Sequence, residues 1–339
     1  MSDDADFTPN RDRAIWIEGK FTEAMLDRLR PRILEFTAQS RQPITVFVNG
    51  SGGRPDVAET ILKLLRETTQ DDARASRIIT VGCSRVCSMA ANFLSAGDFA
   101  IASPGCKLLY HGARWAPHDL TGEWASEWVS MARALPTFHE MHAAALARRS
   151  VHRFLYVVSS YRETFAQERA NASDPSLTDL DCLQAILRGK LSQAGQTVLQ
   201  RAIPLWESYN GLLLQFQKRM RRGRSVSKAR LRRLMFHASA AFEWERNQDA
   251  GVWDGGLGRI SDHFHFLNAY FDFEKLGEWV AARSEPQAGD TDAEAAYFLQ
   301  FRLFFLALCR ALQEGENELT AVDAVHLGLI DSIRDLASP

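Results

Sequence analysis

The sequence predicts an α/β fold that carries a large all-α insertion, and three observations lead there. From Arg13 to about Gly112, short apolar runs alternate with amphipathic stretches. From about Thr121 to Leu312 the strand signal gives way to helical periodicity. The last segment, ENELTAVDAVHLGLIDSIRDL, returns to a compact helix–Gly–strand pattern. Strands that alternate with helices argue for βαβ units, a mainly parallel sheet and right-handed crossovers. The expected division is therefore 1–149 for the first part of the α/β domain, 150–312 for the helical insertion and 313–339 for the domain's C-terminal part.

The elements follow in order. AIWIEG (Ala14–Gly19) alternates as a strand does, and FTEAMLDRLRPRILEFTAQ (Phe21–Gln39) has the spacing of an amphipathic helix. ITVFVNG (Ile44–Gly50) reads as a strand ending in a glycine turn, followed by the helix DVAETILKLLRETT (Asp56–Thr69). RIITVGC (Arg77–Cys83) is a strand, SMAANFLSAG (Ser88–Gly97) a short helix of small residues, and FAIASPG and KLLYHG two more strands. Beyond them, EWASEWVSMARALPTFHEMHAAALARR, YVVSSYRETFAQERANA, the run from Leu180 to Met220 and AEAAYFLQFRLFFLALCRALQ are helix-like. Loop signals separate them at ASDPSLTD, DAGVWDGGLG and RSEPQAGDTD.

Bulk properties narrow the function classes. With 339 residues, 46% hydrophobic and 24% charged, the chain is ordinary globular material for one large domain or two smaller ones. A formal net charge of -2 offers no global reason for a polyanionic partner, so nucleic acid is not expected. The longest apolar stretch, Phe301–Leu308, contains Arg302 and is too short for a bilayer, so no membrane partner is expected. The acidic, polar N-terminus lacks the pattern of a secretory signal. Five cysteines form no CxxC pair, which reads as reduced thiols in a cytoplasm. No cofactor is indicated.

Three segments carry chemistry. VFVNGSGG (Val46–Gly53) runs a strand into a glycine-rich turn that could present bare amides to a ligand, or could be only a tight βα turn. It matches neither a phosphate loop nor a dinucleotide fingerprint. TVGCSRVCSMAANFLSAG delivers the chain to Ser88 where a strand becomes a helix, a position suited to stabilising an oxyanion. Taken alone, Ser88 could simply cap that helix. KLLYHGA ends a strand at His111, where an imidazole could take a proton from a serine at a neighbouring strand tip.

Together these segments resemble the proteolytic subunit of the Clp protease family, in the ClpP/crotonase superfamily. NGSGG is similar to the family's N-S-P-G-G turn, and CSMAANFLSAG to its nucleophile segment. FAIASPGCKLLYHGA is similar to the strand pair leading to the catalytic histidine. LTAVDAVHLGLIDSI matches the C-terminal L-S-A-x-E-A-x-x-Y-G-L-x-D-x-I without a gap. The likeness covers about Arg13–Arg149 and Glu314–Ile333. It implies a ClpP/crotonase-like ββα superhelical domain and a serine-type peptidase that hydrolyses protein or peptide chains.

The same resemblance assigns roles. Ser88 matches the nucleophile and His111 the general base, while the amides of Gly53 and Met89 match the oxyanion hole. Glu316 stands where the family has its triad acid, with Glu314 and Glu318 near enough in sequence to compete, or a Ser–His dyad in its place. Ser51 replaces the proline of the family's glycine turn. An ATPase or other regulatory partner is implied. The insertion follows directly on the ring-stacking helix (about Glu123–Arg149), so an assembly smaller than a two-ring barrel is expected.

Other signals carry less. The basic run Lys218–Arg233 reads as a solvated helical face. Asp262, His263 and His265 lack a further ligand cluster nearby, and Cys83 and Cys87 read as packing residues. Two further readings compete with the peptidase. One is a catalytically weak ClpP-like scaffold whose insertion binds a partner. The other is an acyl-CoA enzyme of the crotonase type, which would use carboxylates and need no nucleophilic serine.

Overall fold

The computed structural model describes residues 8–40, 42–66, 76–112, 114, 139, 142–147, 149–150, 153–154, 164–174, 176–220, 301 and 303–335. The chain divides into two compact units. One comprises Met1–His111, Gly189–Gly195 and Glu316–Pro339, and the other Gly112–Arg188 and Gln196–Gly315. The first break thus falls at His111, where the sequence pattern had placed it at residue 149. The short piece Gly189–Gly195 returns to the α/β unit from within the helical run.

The α/β unit begins with β1 (Ala14–Phe21), α1 (Glu23–Gln39), β2 (Ile44–Gly53) and α2 (Pro55–Leu65). It continues through β3 (Ile78–Cys87), α3 (Met89–Ser95), β4 (Phe99–Ala102) and β5 (Lys107–Tyr110). Thr22 starts α1 by accepting the Met25 amide at 3.2 Å, and Pro55 opens α2 where a missing N–H costs nothing. Strands β1, β2, β3 and β4 pair in parallel in that order. Their centre reads as a continuous apolar run, with Ile44, Val46, Val48, Ile78, Ile79 and Val81 all buried, as expected for a sheet covered on both faces. Trp16 stacks on Phe47 with ring centroids 4.2 Å apart, so even this partly exposed ring has an apolar partner.

Strand β3 is shared between two neighbours, and that fork positions the site. Its first half pairs with β4 (Ile79↔Phe99 to Gly82↔Ala102), its second half with β5 (Arg85↔Lys107 to Cys87↔Leu109). Gly82 sits at the fork, where a Cβ would press on Leu94 at 3.0 Å and on the Cys106 sulfur at 3.2 Å. A larger residue there would push β3 away from α3.

The C-terminal part differs from the expected helix–Gly–strand in one respect: a strand precedes the helix. β6 (Asn317–Thr320) pairs antiparallel with β5, then α6 (Ala321–His326) and β7 (Ser332–Ile333) follow, β7 lying parallel to β4. The cause is a four-residue alternation, with Asn317 and Leu319 buried and Glu318 exposed, ended by Thr320 as the helix cap.

In the helical unit, residues 164–172 and 303–312 are helical; α4 (Asp179–Lys190) and α5 (Gln193–Met220), whose facing ends fall in the α/β unit, account for the run read as a single helical stretch. Phe154 stacks on Phe301 at 4.5 Å and meets Phe305 at 5.6 Å. Most of the stretch 123–149, residues 221–233 of the basic run, and Asp262, His263 and His265 lie outside the described residues.

Candidate active site

Ser88 follows β3 directly and has an unusual backbone conformation, φ 57° and ψ -128°. For a residue with a Cβ this costs about 1–3 kcal/mol and persists only where the surroundings enforce it. The enforcing bonds are backbone ones. The Ser88 N–H donates to the Leu109 carbonyl of β5 at 2.6 Å, and the Ser88 carbonyl accepts from Ala91 and Asn92, closing the first turn of α3. The hydroxyl does not cap the helix it precedes. That removes helix capping as the explanation for a serine at this place. A residue held by its main chain, half-buried, with its side chain uncommitted to the cap, has the strand–turn–helix form of a nucleophile elbow.

The glycine turn of β2 packs against that elbow. Gly52 has φ +94°, and a Cβ on it would lie 2.6 Å from the Ser88 Cβ and 3.0 Å from Ser88 Oγ. Gly53 has φ +123°, and a Cβ on it would run into the Phe21 nitrogen and oxygen at 2.5 and 2.7 Å. The pair therefore threads between the end of β1 and the serine, and each glycine answers to a different wall. Reading the sequence singled out Gly53 and passed over Gly52, the residue that touches the serine. Asn49, first residue of the same NGSGG turn, also acts here, since its Oδ1 accepts the Arg85 amide at 3.3 Å and ties β2 to the outgoing half of β3. Gly52→Ala should lower the rate of Ser88 acylation by at least about 10²-fold, comparable to losing an oxyanion donor. Covalent labelling kinetics of the purified variant measure this; an unchanged rate would separate the turn from the site.

His111 follows β5 directly, one residue beyond Tyr110, and is half-buried. Tyr110 is fully buried, and its hydroxyl shares a hydrogen bond of 3.0 Å with Ser95 Oγ in α3. The helix that starts at Ser88 and the strand that delivers His111 are thus joined twice, by this bond and by Ser88 N–H to Leu109.

The three glutamates considered for the acid differ in where the β5–β6 pairing leaves them. β5 and β6 pair Lys107↔Thr320, Leu108↔Leu319, Leu109↔Glu318 and Tyr110↔Asn317. His111 follows the last paired residue of β5 and Glu316 precedes the first of β6, so both leave the same end of this antiparallel pair. The two competing glutamates stand elsewhere. Glu318 lies opposite Leu109 and ion-pairs with Arg85 at 3.4 Å. Glu314 falls in the helical unit, where its carbonyl accepts from Arg201.

The neighbouring thiols make poor nucleophiles. All five cysteines are free. Burial pushes the Cys87 thiol up in pKa against the pull of Arg85, and Cys106 goes up to about 12 because burial and the nearby Cys83 and Cys87 disfavour its thiolate. Beside Ser88, Cys87 is therefore a packed thiol. Among the described residues no group of three or more His, Cys, Asp or Glu side chains could hold a metal ion. No helix among the described residues is long and apolar enough to cross a membrane.

Neither a scan against protein-family models nor a search of curated proteins returns a match to this chain.

Proposed function

We propose that the chain is a serine peptidase of ClpP-like type, with Ser88 as nucleophile, His111 as general base, Glu316 as the acid and the amides of Gly53 and Met89 as oxyanion donors. The observation that carries the reading is Ser88 itself. It is a non-glycine residue in a costly positive-φ conformation at a strand–helix turn, its hydroxyl is not used as a cap, and a glycine turn is packed against it. The four resembling segments add to this, because the residues they single out come from the ends of β2, β3, β5 and β6 in a single unit.

The chemistry follows from those positions. His111 removes the Ser88 proton as Oγ attacks a peptide carbonyl, and the oxyanion is met by the Gly53 and Met89 amides. Met89 is the first residue of α3, so its N–H has no acceptor within the helix and is available to a substrate oxygen. Protonated His111 then passes its proton to the leaving amine, and water, activated by the same imidazole, releases the acyl group from Ser88. Glu316 orients the imidazole and offsets its charge. The substrate class is a protein or peptide chain, and a regulatory ATPase belongs to the same proposal.

A fluorophosphonate probe tests the reading directly. The expected result is stoichiometric labelling of the purified chain at one residue, located by peptide mass spectrometry at Ser88. Absence of labelling at Ser88, with the chain folded by circular dichroism, would favour the scaffold reading in which the domain serves only to bind.

A further inference from the structure

Segment Gly189–Gly195, which spans the end of α4, the two residues after it and the start of α5, belongs to the α/β unit. What holds it there is the carboxylate of Asp323. One oxygen, Oδ1, accepts the Ser192 N–H at 2.7 Å. The other, Oδ2, accepts the Ser192 hydroxyl at 2.7 Å, the Thr320 hydroxyl at 2.8 Å and the Thr320 N–H at 2.9 Å. Ser192 Oγ in turn accepts the Gly195 N–H at 3.4 Å and so starts α5. Gly195 is required for the approach, because a Cβ there would lie 2.9 Å from Asp323 Oδ1. Asp323 is 1% exposed. Burial alone would raise its pKa, but the Ser192 hydroxyl and amide and the Thr320 amide and hydroxyl outweigh that and hold it below the usual carboxylate range. The charge is present at neutral pH, and these bonds are charge-assisted.

This carboxylate bears on the strand that presents Glu316. β6 is four residues long and, among the described residues, pairs with β5 alone. Gly315, with φ +76°, precedes Glu316 and offers little stiffness at that end. A strand this short, held on one edge, is weakly specified in register, and a slip of one residue moves every side chain to the opposite face. Thr320, the last residue of β6, is the point at which Asp323 grips it.

We propose that Asp323 and Ser192 form a clasp that fixes the register of β6 on β5 and thereby keeps Glu316 facing His111, making both of them positioning residues for the Ser88 reaction. The proposal rests on the peptidase reading. It gives the segment between α4 and α5 a part in catalysis without supplying a reacting group.

The test compares the full chain with Ser192→Ala and Ser192→Thr by the kinetics of fluorophosphonate inactivation, together with hydrogen exchange at Asn317–Thr320. Ser192→Ala keeps the backbone bond and removes only the hydroxyl. Its maximal inactivation rate should fall about 10-fold with the half-saturating probe concentration unchanged, as a displaced catalytic group demands. Exchange in β6 should rise, and Ser192→Thr should return both readouts to the parent's. Faster exchange with an unchanged inactivation rate would reduce the clasp to a fold element and overturn the proposal. Unchanged exchange and rate would overturn it as well. A parent chain that never labels at Ser88 would overturn the peptidase reading itself, and the positioning role with it.

Discussion

Ser88→Ala is expected to abolish fluorophosphonate labelling and to lower peptide hydrolysis by about 10⁶-fold, the scale at which loss of a triad nucleophile is felt. His111→Ala should cost nearly as much, and Ser88→Ala combined with His111→Ala no more than either alone. On the peptidase reading the two act as one unit: a serine hydroxyl is a weak nucleophile until its proton is removed, and His111 is the base proposed to remove it. The backbone couples them before substrate arrives. Ser88 N–H is bonded to Leu109 two residues ahead of His111, and Tyr110 between them is bonded to Ser95 of the nucleophile helix. Neither substitution removes any of these bonds, so the coupling of α3 to β5 should survive in both variants. Costs that simply multiplied in the double variant would mean that serine and histidine act independently, against a shared site. Residual hydrolysis of parental magnitude in Ser88→Ala would assign the nucleophile elsewhere.

Much of this architecture is legible in the chain because it is written in local patterns. The alternation in Ala14–Gly19, the buried run of Ile44–Val48 and the glycines that end it give β1, β2 and their turn from sequence spacing alone. Ser88 is legible as a strand–helix junction. What the residues cannot announce is the φ of 57° that separates a nucleophile elbow from a helix cap, since that conformation is imposed by Leu109, a residue of another strand. Gly52 escaped for a similar reason. Its need for a missing Cβ arises from Ser88, distant in sequence, whereas the pair Gly52–Gly53 looks locally like any turn. β6 was hidden because four residues of alternation are too few to outweigh the helical signal of ALA-rich positions such as Ala321 and Ala324 beside them. The break between α4 and α5 was invisible because the bond that makes it, Ser192 to Asp323, spans 131 residues of sequence.

Glu316→Gln is expected to lower turnover by about 10²–10⁴-fold with substrate affinity little changed. The upper figure is the cost of an uncharged amide in place of a triad acid, which leaves the histidine in the wrong tautomer. The lower figure allows for exposure: Glu316 stands just before β6 in contact with solvent, where a carboxylate acts through a higher effective dielectric than a buried one. Glu316 is proposed over its neighbours because it leaves the β5–β6 pair at the same end as His111. Glu318 is two positions along the same face, opposite Leu109, and its carboxylate faces Arg85. Glu318→Gln removes an exposed ion pair of about 0–1 kcal/mol and should leave turnover within a few-fold of the parent. Glu316→Asp separates charge from reach, since the carboxylate remains but is one methylene shorter; it should recover part of the loss. The assignment fails if Glu316→Gln turns over at the parental rate while Glu318→Gln does not. Equal indifference of both would leave Ser88 and His111 working as a dyad, with β6 contributing only its backbone to the strand that carries the histidine.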